Sequence, residues 1–390
     1  MTGNGRALTG SGRCCSESAC GTVGRTPSKP DTLAKTRPAR PPGAAPTIVE
    51  VAQQAGVSIK TVSRVLNHEP GVHEKTREQV LQVVAALKYR PKLSARSLAG
   101  ARSFLIGLLY YDPSATFVGG VQQGATLRCR EAGYHLVVES LHNDAPDLEQ
   151  QVERMVFALR PDGMVLTPPL CDNPKVLEAL RATSTPCVLI SPGFRPGGRS
   201  TYAEVQAELP SVGMDDVLAA EEVTNLLISL GHTRIAHIKG AVDQAAAGQR
   251  YEGFVNAMEQ HKLKVDPDLV YQGAFTYESG VQGAHQLLAR RTRPTAVFAA
   301  NDDMALGVLA AAQRLGLAVP QDLSIVGFDD SQAASLVWPP LTTVRQPMAE
   351  MARAAVEMLI TPAESARSPA PHRILPHELI VRHSTAAPRG

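Results

Sequence analysis

Aromatic residues are scarce: one Trp, eight Tyr and eight Phe make up 4% of the 390 residues. That leaves no obvious platform on which single-stranded nucleic acid could stack its bases. No apolar run approaches the roughly 18 residues that a membrane-spanning helix needs. Six cysteines occur, Cys14, Cys15 and Cys20 near the start and Cys129, Cys171 and Cys187 far apart. None is paired in a C-x-x-C spacing or clustered with histidines, so neither a zinc site nor a disulfide framework is indicated, and a reducing cytoplasm is expected. There is also no phosphate-binding glycine loop, no Ser/His/Asp arrangement and no metal motif, which argues against an enzyme and against a cofactor. Charge of one sign is short overall, the net being +2, but its distribution is uneven. Residues 1–45 and 46–103 each carry +5, whereas 104–390 carry −8. Basic charge is concentrated in the first quarter, as expected if that part meets phosphate and the rest does not.

What is present begins with TIVEVAQQAGVSIKTVSRVLN, residues 47–67. Ile48, Val51, Ala52 and Ala55 recur at helical spacing. Thr47 and Glu50 form a T-x-x-E capping box that marks the helix start. Gly56 then supplies a tight turn. Ser58 is placed to cap a second helix whose inner face is Val62, Val65 and Leu66. Two short helices joined by such a turn are either an ordinary helical hairpin or a helix-turn-helix, whose second helix enters the DNA major groove. A third helix is predicted over 74–88, ended by Tyr89-Arg90-Pro91.

Residues 1–45, rich in Gly, Ser, Pro and Arg, read as a disordered basic leader. It holds no apolar stretch of the secretory kind. Such a leader adds non-specific DNA affinity or reflects an over-long translation start. After the helical unit at 46–91 comes a segment at 92–103 with helix-compatible composition but few apolar residues. It is a plain linker or a helix that orders only on DNA.

From residue 104 the pattern changes to strands alternating with helices. Strands are predicted over 104–111, 134–140, 163–167 and 187–190, with helices over 118–131, 147–159 and 174–182. A loop over 191–210 suits a crossover. The alternation restarts with helices over 216–230, 249–260, 277–290 and 304–315 and strands over 235–239, 270–273, 296–300 and 323–328. A helix over 347–359 and a strand over 373–381 follow. Repeated units of this kind predict an α/β core, 104–385, of two doubly wound parallel-sheet subdomains with a cleft between them. Ligands bind such sheets beyond the carboxyl ends of the strands, which places Asn301, Asp302, Asp329 and Asp330 at a cleft mouth.

From residue 46 onward the chain resembles the LacI/GalR family of bacterial transcription regulators. The motifs that carry the resemblance are the 47–67 stretch, KYRPKLSARSLAG, LGHTRIAHIKG, AANDDMALG, SIVGFDD and PPLTTVRQP, in the family's order and spacing. It implies an all-α helix-turn-helix domain, a hinge segment and a periplasmic-binding-protein-like core. It also implies a homodimer or tetramer on a near-palindromic double-stranded operator, and the lack of a C-terminal leucine heptad favours the dimer.

By the same resemblance, Ile59 and Lys60 read base edges, and Arg64, one turn further on, makes a base or phosphate contact. Thr61 and Ser63, with Thr47, Ser58 and Asn67, lie along the DNA-contacting stretch, and Lys92 adds a phosphate contact. Leu98 matches the hinge leucine that wedges into the minor groove, a dimer-interface leucine being the other reading. In the core, Arg250 matches an effector-binding arginine whose fork holds two hydroxyls or a carboxylate. Phe275 is placed to stack on the ligand and Phe117 to form an apolar wall. Asn301, Asp329 and Gln346 match polar cleft positions, and Asp302 is either a further contact or the cap of the helix at Met304.

Glu50, His73 and Lys92 depart from the family pattern, as does the run 112–116. The function expected is a repressor of carbohydrate-utilisation genes controlled by a small sugar-like effector, a purine-like co-repressor being the other ligand class. A transport-type sugar-binding protein fits the core but not the basic helix-turn-helix. A glycosidase using Asp302 and Asp329 has no supporting motif.

Overall fold

The structure, a computed structural model, describes residues 46–66, 69–89, 102–111, 114–193, 208–361 and 371–389. The leader, most of the hinge, Asn67, Lys92 and Leu98 lie outside these residues. The chain divides into two units, Met1–Arg90 and Pro91–Gly390.

In the first unit three helices enclose one small core: α1 (Ile48–Gln54), α2 (Ile59–Leu66) and α3 (Glu74–Ala86). Val51, Val62, Val65 and Val80 are completely buried there, with Ala52, Ala55 and Tyr89 around them. The capping box forms as the spacing requires. The Glu50 N–H donates to Thr47 Oγ1 at 3.4 Å, and the Thr47 N–H donates back to Glu50 Oε2 at 2.7 Å. Gly56 turns the chain with a φ of +61°, a conformation costly to a residue with a Cβ. His73 stands at the start of α3 without capping it.

The second unit has two lobes. The first is built on β1 (Leu105–Tyr110), α4 (Ala115–Glu131), β2 (His135–Ser140), α5 (Leu148–Leu159), β3 (Gly163–Leu166), α6 (Pro174–Ala182), β4 (Cys187–Ile190) and β5 (Ser211–Gly213). The second continues with α7 (Asp216–Ser229), β6 (Ile235–Lys239), α8 (Ala245–Gln260), β7 (Val270–Gln272), α9 (Tyr277–Leu288), β8 (Ala296–Ala299), α10 (Asp302–Arg314), β9 (Ser324–Val326) and α11 (Gln332–Leu336). The chain then returns through β10 (Thr343–Arg345), α12 (Met348–Ile360), β11 (His372–Ile374) and β12 (Glu378–Ile380).

The first sheet is ordered β11-β5-β4-β3-β1-β2 and the second β7-β6-β8-β9, every neighbouring pair parallel. Helices cover both faces of each sheet. Val121 of α4 and Met351 of α12 pack on one side of the first sheet, Val152 of α5 and Leu177 of α6 on the other. Hence β1, β3 and β4 are near-continuous apolar runs rather than alternating ones. The two doubly wound parallel sheets predicted from the sequence are therefore present.

Element boundaries differ in places. α4 starts at Ala115 rather than 118 and α8 at Ala245 rather than 249, both in stretches where internal glycines dilute the helical signal. α10 begins at Asp302, capped by Asn301. The single strand predicted over 373–381 is two. β11 joins the first sheet beside β5, and β12 pairs antiparallel with β10. Pro376 lies between them, and its missing N–H interrupts a ladder.

Candidate functional site

Helix α2 presents two different faces. Val62 and Val65 are buried, while Ile59, Lys60 and Arg64 are exposed and Thr61 and Ser63 half-buried. Lys60, Ser63 and Arg64 recur at i, i+3 and i+4, so they share one side of the helix. Ser58 Oγ accepts the Thr61 N–H at 3.1 Å, satisfying a free amide of the first turn. Ile59 is 47% exposed, unusual for a large apolar residue in so small a core. Among the described residues Arg64 pairs with Glu69, at 3.7 Å on the surface. The face is basic, and α2 has no acidic residue in its first turn.

In the second unit a cavity, partly open to solvent, lies where the strands of both lobes end. The first lobe supplies Ser114, Phe117, Pro168 and Ser191, following β1, β3 and β4. The second supplies Asp216, Gln244, Ala246, Arg250, Phe275, Asn301 and Asp329, and Gln346 comes from the crossover after β10. Parallel strands all discharge their loops at one edge, so this clustering follows from the topology.

Arg250 is the centre of the cavity's polar wall and is 4% exposed. Its Nε donates to Asp216 Oδ1 at 2.9 Å and its Nη1 to the Ala300 carbonyl at 2.6 Å. Asp329 Oδ1 lies 3.8 Å from Nη1 and accepts from Gln346 Nε2 at 2.6 Å. The guanidinium lies over the Phe328 ring, 3.7 Å from its centroid. Asn301 is engaged once at each end: Oδ1 accepts the Met304 N–H at 3.0 Å and Nδ2 donates to the Phe275 carbonyl at 3.0 Å. Three cavity residues, Ser191, Phe275 and Asp329, have positive φ without being glycine. Strain of that kind persists where surrounding contacts over-determine the backbone, as at ligand sites. Gly240 is part of the support, since a Cβ there would fall 2.0 Å from the Phe275 ring.

Six of the eight residues expected at the cleft therefore line one cavity, Asp330 instead pairing with Arg345 and Arg382: Phe117, Arg250, Phe275, Asn301, Asp329 and Gln346. Asp302 does not, which corrects both expectations for it. It neither faces the cavity nor caps α10, a role taken by Asn301. Its Oδ1 accepts from the Thr343 hydroxyl and its Oδ2 from the Ser331 N–H, each at 2.7 Å, tying α10 to β10 and to the start of α11. Burial raises its carboxyl to about 7, against the lowering effect of those two bonds. A glycosidase pair made of Asp302 and Asp329 is thus not assembled.

Sequence reasoning missed Ser114, Pro168, Ser191, Asp216, Gln244 and Ala246. Asp216 had a usable signal, a carboxylate just after a short apolar segment. β5 is only three residues long, and its edge went unrecognised.

Residues 47–92 match the family of bacterial regulatory proteins of the lacI type, and residues 224–385 match the periplasmic binding protein-like domain. The HTH-type transcriptional regulator DegA of Bacillus subtilis (strain 168) is 35% identical over 342 residues, 87% of this chain and 98% of that protein. The chain belongs to the LacI family. The ribose operon repressor of Haemophilus influenzae is 34% identical, over 80% of this chain and 91% of its own length. Among solved structures, the lac repressor dimer bound to operator and the anti-inducer ONPF superimposes with a TM-score of 0.73 at 29% identity, covering 88% of this chain and 100% of that one. This LacI-family chain is a DNA-binding transcriptional regulator, with the family's helix-turn-helix and α/β core. Among the described residues no helix is long and apolar enough to cross a membrane.

Proposed function

We propose that this regulator is a cytoplasmic homodimeric repressor that binds a near-palindromic operator and is switched by a small sugar-like effector held in the cavity. On α2, Ile59, Lys60 and Arg64 read base edges, Lys60 and Arg64 as donors to guanine and Ile59 as an apolar contact to a thymine methyl. Thr47, Ser58, Thr61 and Ser63 sit at phosphates, which set register without specifying sequence. Asn67, Lys92 and Leu98 extend this DNA surface. In the core, Phe275 and Phe117 offer apolar faces to a sugar ring, and Arg250, Asn301, Asp329 and Gln346 its polar partners.

The observation that carries this reading is the bonded wall around Arg250. A buried guanidinium fixed by Asp216, Ala300 and Phe328 is pre-organised to receive a ligand. Relatives of this chain named as ribose operon and lac repressors support the choice of effector class. Effector binding acts through different affinities for the DNA-competent and incompetent arrangements of the two lobes.

The test is to enrich random duplexes on the full chain and titrate the enriched sequence with and without sugars. A near-palindromic winner whose affinity changes with a sugar is the expected result. Absence of sequence enrichment, or indifference to every sugar while a purine base alters binding, would overturn it.

A further inference from the structure

A second cavity lies at the other end of the second lobe from Arg250. The first opens at the carboxyl ends of the strands; this one lies beyond their amino ends, where Thr295 precedes β8 and Leu323 precedes β9. The length of β8, roughly 13 Å for four residues, stands between them. Its volume is about 230 Å3. A cavity of about 150 Å3 accepts benzene, so the space suits one ring with a short substituent. Much of the lining is apolar: Leu288, Pro294 and Leu323 are buried, and Leu317, Pro320 and Pro388 half-buried. The C-terminal tail that supplies Pro388 is tied down on both sides of it. The Ile325 N–H donates to the Ser384 carbonyl at 2.9 Å, the Ala386 N–H to Ser324 Oγ at 3.1 Å, and Arg389 Nη1 to Asp322 Oδ1 at 2.6 Å. The cavity therefore stands ready-made, and a ligand need not order it.

Its charge is as distinctive as its apolar lining. Arg293 and Arg389 line it against one carboxylate, Asp322, whose oxygens accept from Arg389 and from the Ala318 N–H at 2.8 Å. Arg293 is exposed and makes no hydrogen bond or ion pair among the described residues. From Ser279 to Asn301 the chain carries Arg290, Arg291 and Arg293 and no acid, although residues 104–390 together carry −8. An arginine with its fork open beside an apolar hollow matches a carboxylate attached to a ring, since the guanidinium holds both oxygens at once. A neutral ring leaves that fork unused, and a bare anion leaves the leucines and prolines uncovered.

We propose that this cavity is a second ligand site, separate from the one around Arg250, that takes a compact aromatic carboxylate with its acid group on Arg293. The test is calorimetric titration of the full chain with benzoate and phenylacetate, with benzyl alcohol as the neutral ring and sulfate as the anion without one. At least one acid is expected to bind with a Kd below about 1 mM, and the alcohol and sulfate at least about tenfold more weakly. Arg293→Gln is expected to weaken that acid by at least about tenfold and to leave the unfolding midpoint unchanged, since no described residue is bonded to the side chain. Binding of neither acid, or of sulfate or the alcohol as tightly as the acids, overturns the proposal. So does full affinity in Arg293→Gln, which would place the acid elsewhere, as beside Arg250.

Discussion

Two arginines, one in each unit, show how differently a protein can hold the same side chain for use. The Arg64 side chain is 44% exposed and touches one acid, Glu69, at 3.7 Å. The Arg250 side chain is 5% exposed, bonded to a carboxylate and a carbonyl and laid on a phenyl ring. On the proposed reading, the first keeps its donors for a partner that brings many phosphates and base edges. On the same reading, the second is fixed in advance because a small ligand offers few atoms with which to order it. The difference implies that the reading head tolerates change without loss of fold, whereas the cavity does not.

The largest effect that can break this contrast is Arg250→Ala. It strands Asp216 and Asp329 in a buried site, and removing one partner of a buried pair costs about 3–5 kcal/mol. Urea unfolding should show that loss, together with loss of the ligand response. A stability change below about 1 kcal/mol would mean that the web around Arg250 is not structural.

Next is Lys60→Ala, expected to leave urea unfolding unchanged but to relax operator preference by about 1–3 kcal/mol at one base pair. Equal weakening on all duplexes would make Lys60 a phosphate contact instead.

Smaller still are two opposed pH effects in the second lobe. His237 is completely buried against Tyr251, Phe254 and Phe298, and neither ring nitrogen makes a hydrogen bond of ordinary geometry. Burial, with the Lys239 charge, lowers its imidazolium to about 3 from 6.5. Only the unfolded chain takes up that proton as pH falls below 6.5, so this group makes stability fall with acid. Asp302 acts in the opposite sense. Raised from 3.8 to about 7, it keeps a proton in the fold that the unfolded chain gives up, so stability falls as pH rises from about 4 to about 7. Between pH 4 and 6.5 the two partly cancel, each bounded by about 1.4 kcal/mol per pH unit. His237→Leu should therefore flatten the acid-side loss relative to the parent, and Asp302→Asn should steepen it, when thermal midpoints are followed from pH 4.5 to 6.5. Identical profiles for both variants would show that neither group titrates as its burial requires.

The smallest effect is Arg64→Ala on stability, below about 0.5 kcal/mol for an exposed pair. A larger loss by urea unfolding would erase the contrast with Arg250.

How much of this was legible in the sequence depends on how locally each feature is encoded. The capping box at Thr47 and Glu50, the turn at Gly56 and the valine stripe of α2 are short-range, and each reads directly from spacing. The alternation of apolar runs with helix-period segments revealed both sheets, because parallel strands such as β1 are buried on both faces. The three-residue strands β5 and β10 carry too little pattern of their own to be seen, whereas β7 and β9, equally short, are marked by the regular alternation with helices around them. The cavity was legible where a motif marked it, at Arg250, Asn301 and Asp329. Ser114, Ser191 and Gln244 are ordinary polar residues in sequence, and only the convergence of strand ends from two lobes gathers them. Asp302 misled for a related reason. A carboxylate at a strand end looks the same whether it faces a ligand or, as here, ties Thr343 and Ser331 together inside the lobe.

The central claim is that what occupies the cavity decides whether α2 is used. Its most direct test is an operator titration of the full chain, with and without a saturating sugar shown by calorimetry to bind, run beside Arg250→Lys. Lysine keeps the positive charge between Asp216 and Asp329 but lacks the planar fork. The parent protein should change operator affinity by at least about tenfold on adding the sugar, and Arg250→Lys should bind operator normally and not respond. A parent protein that binds the sugar yet holds its operator with unchanged affinity would contradict the account.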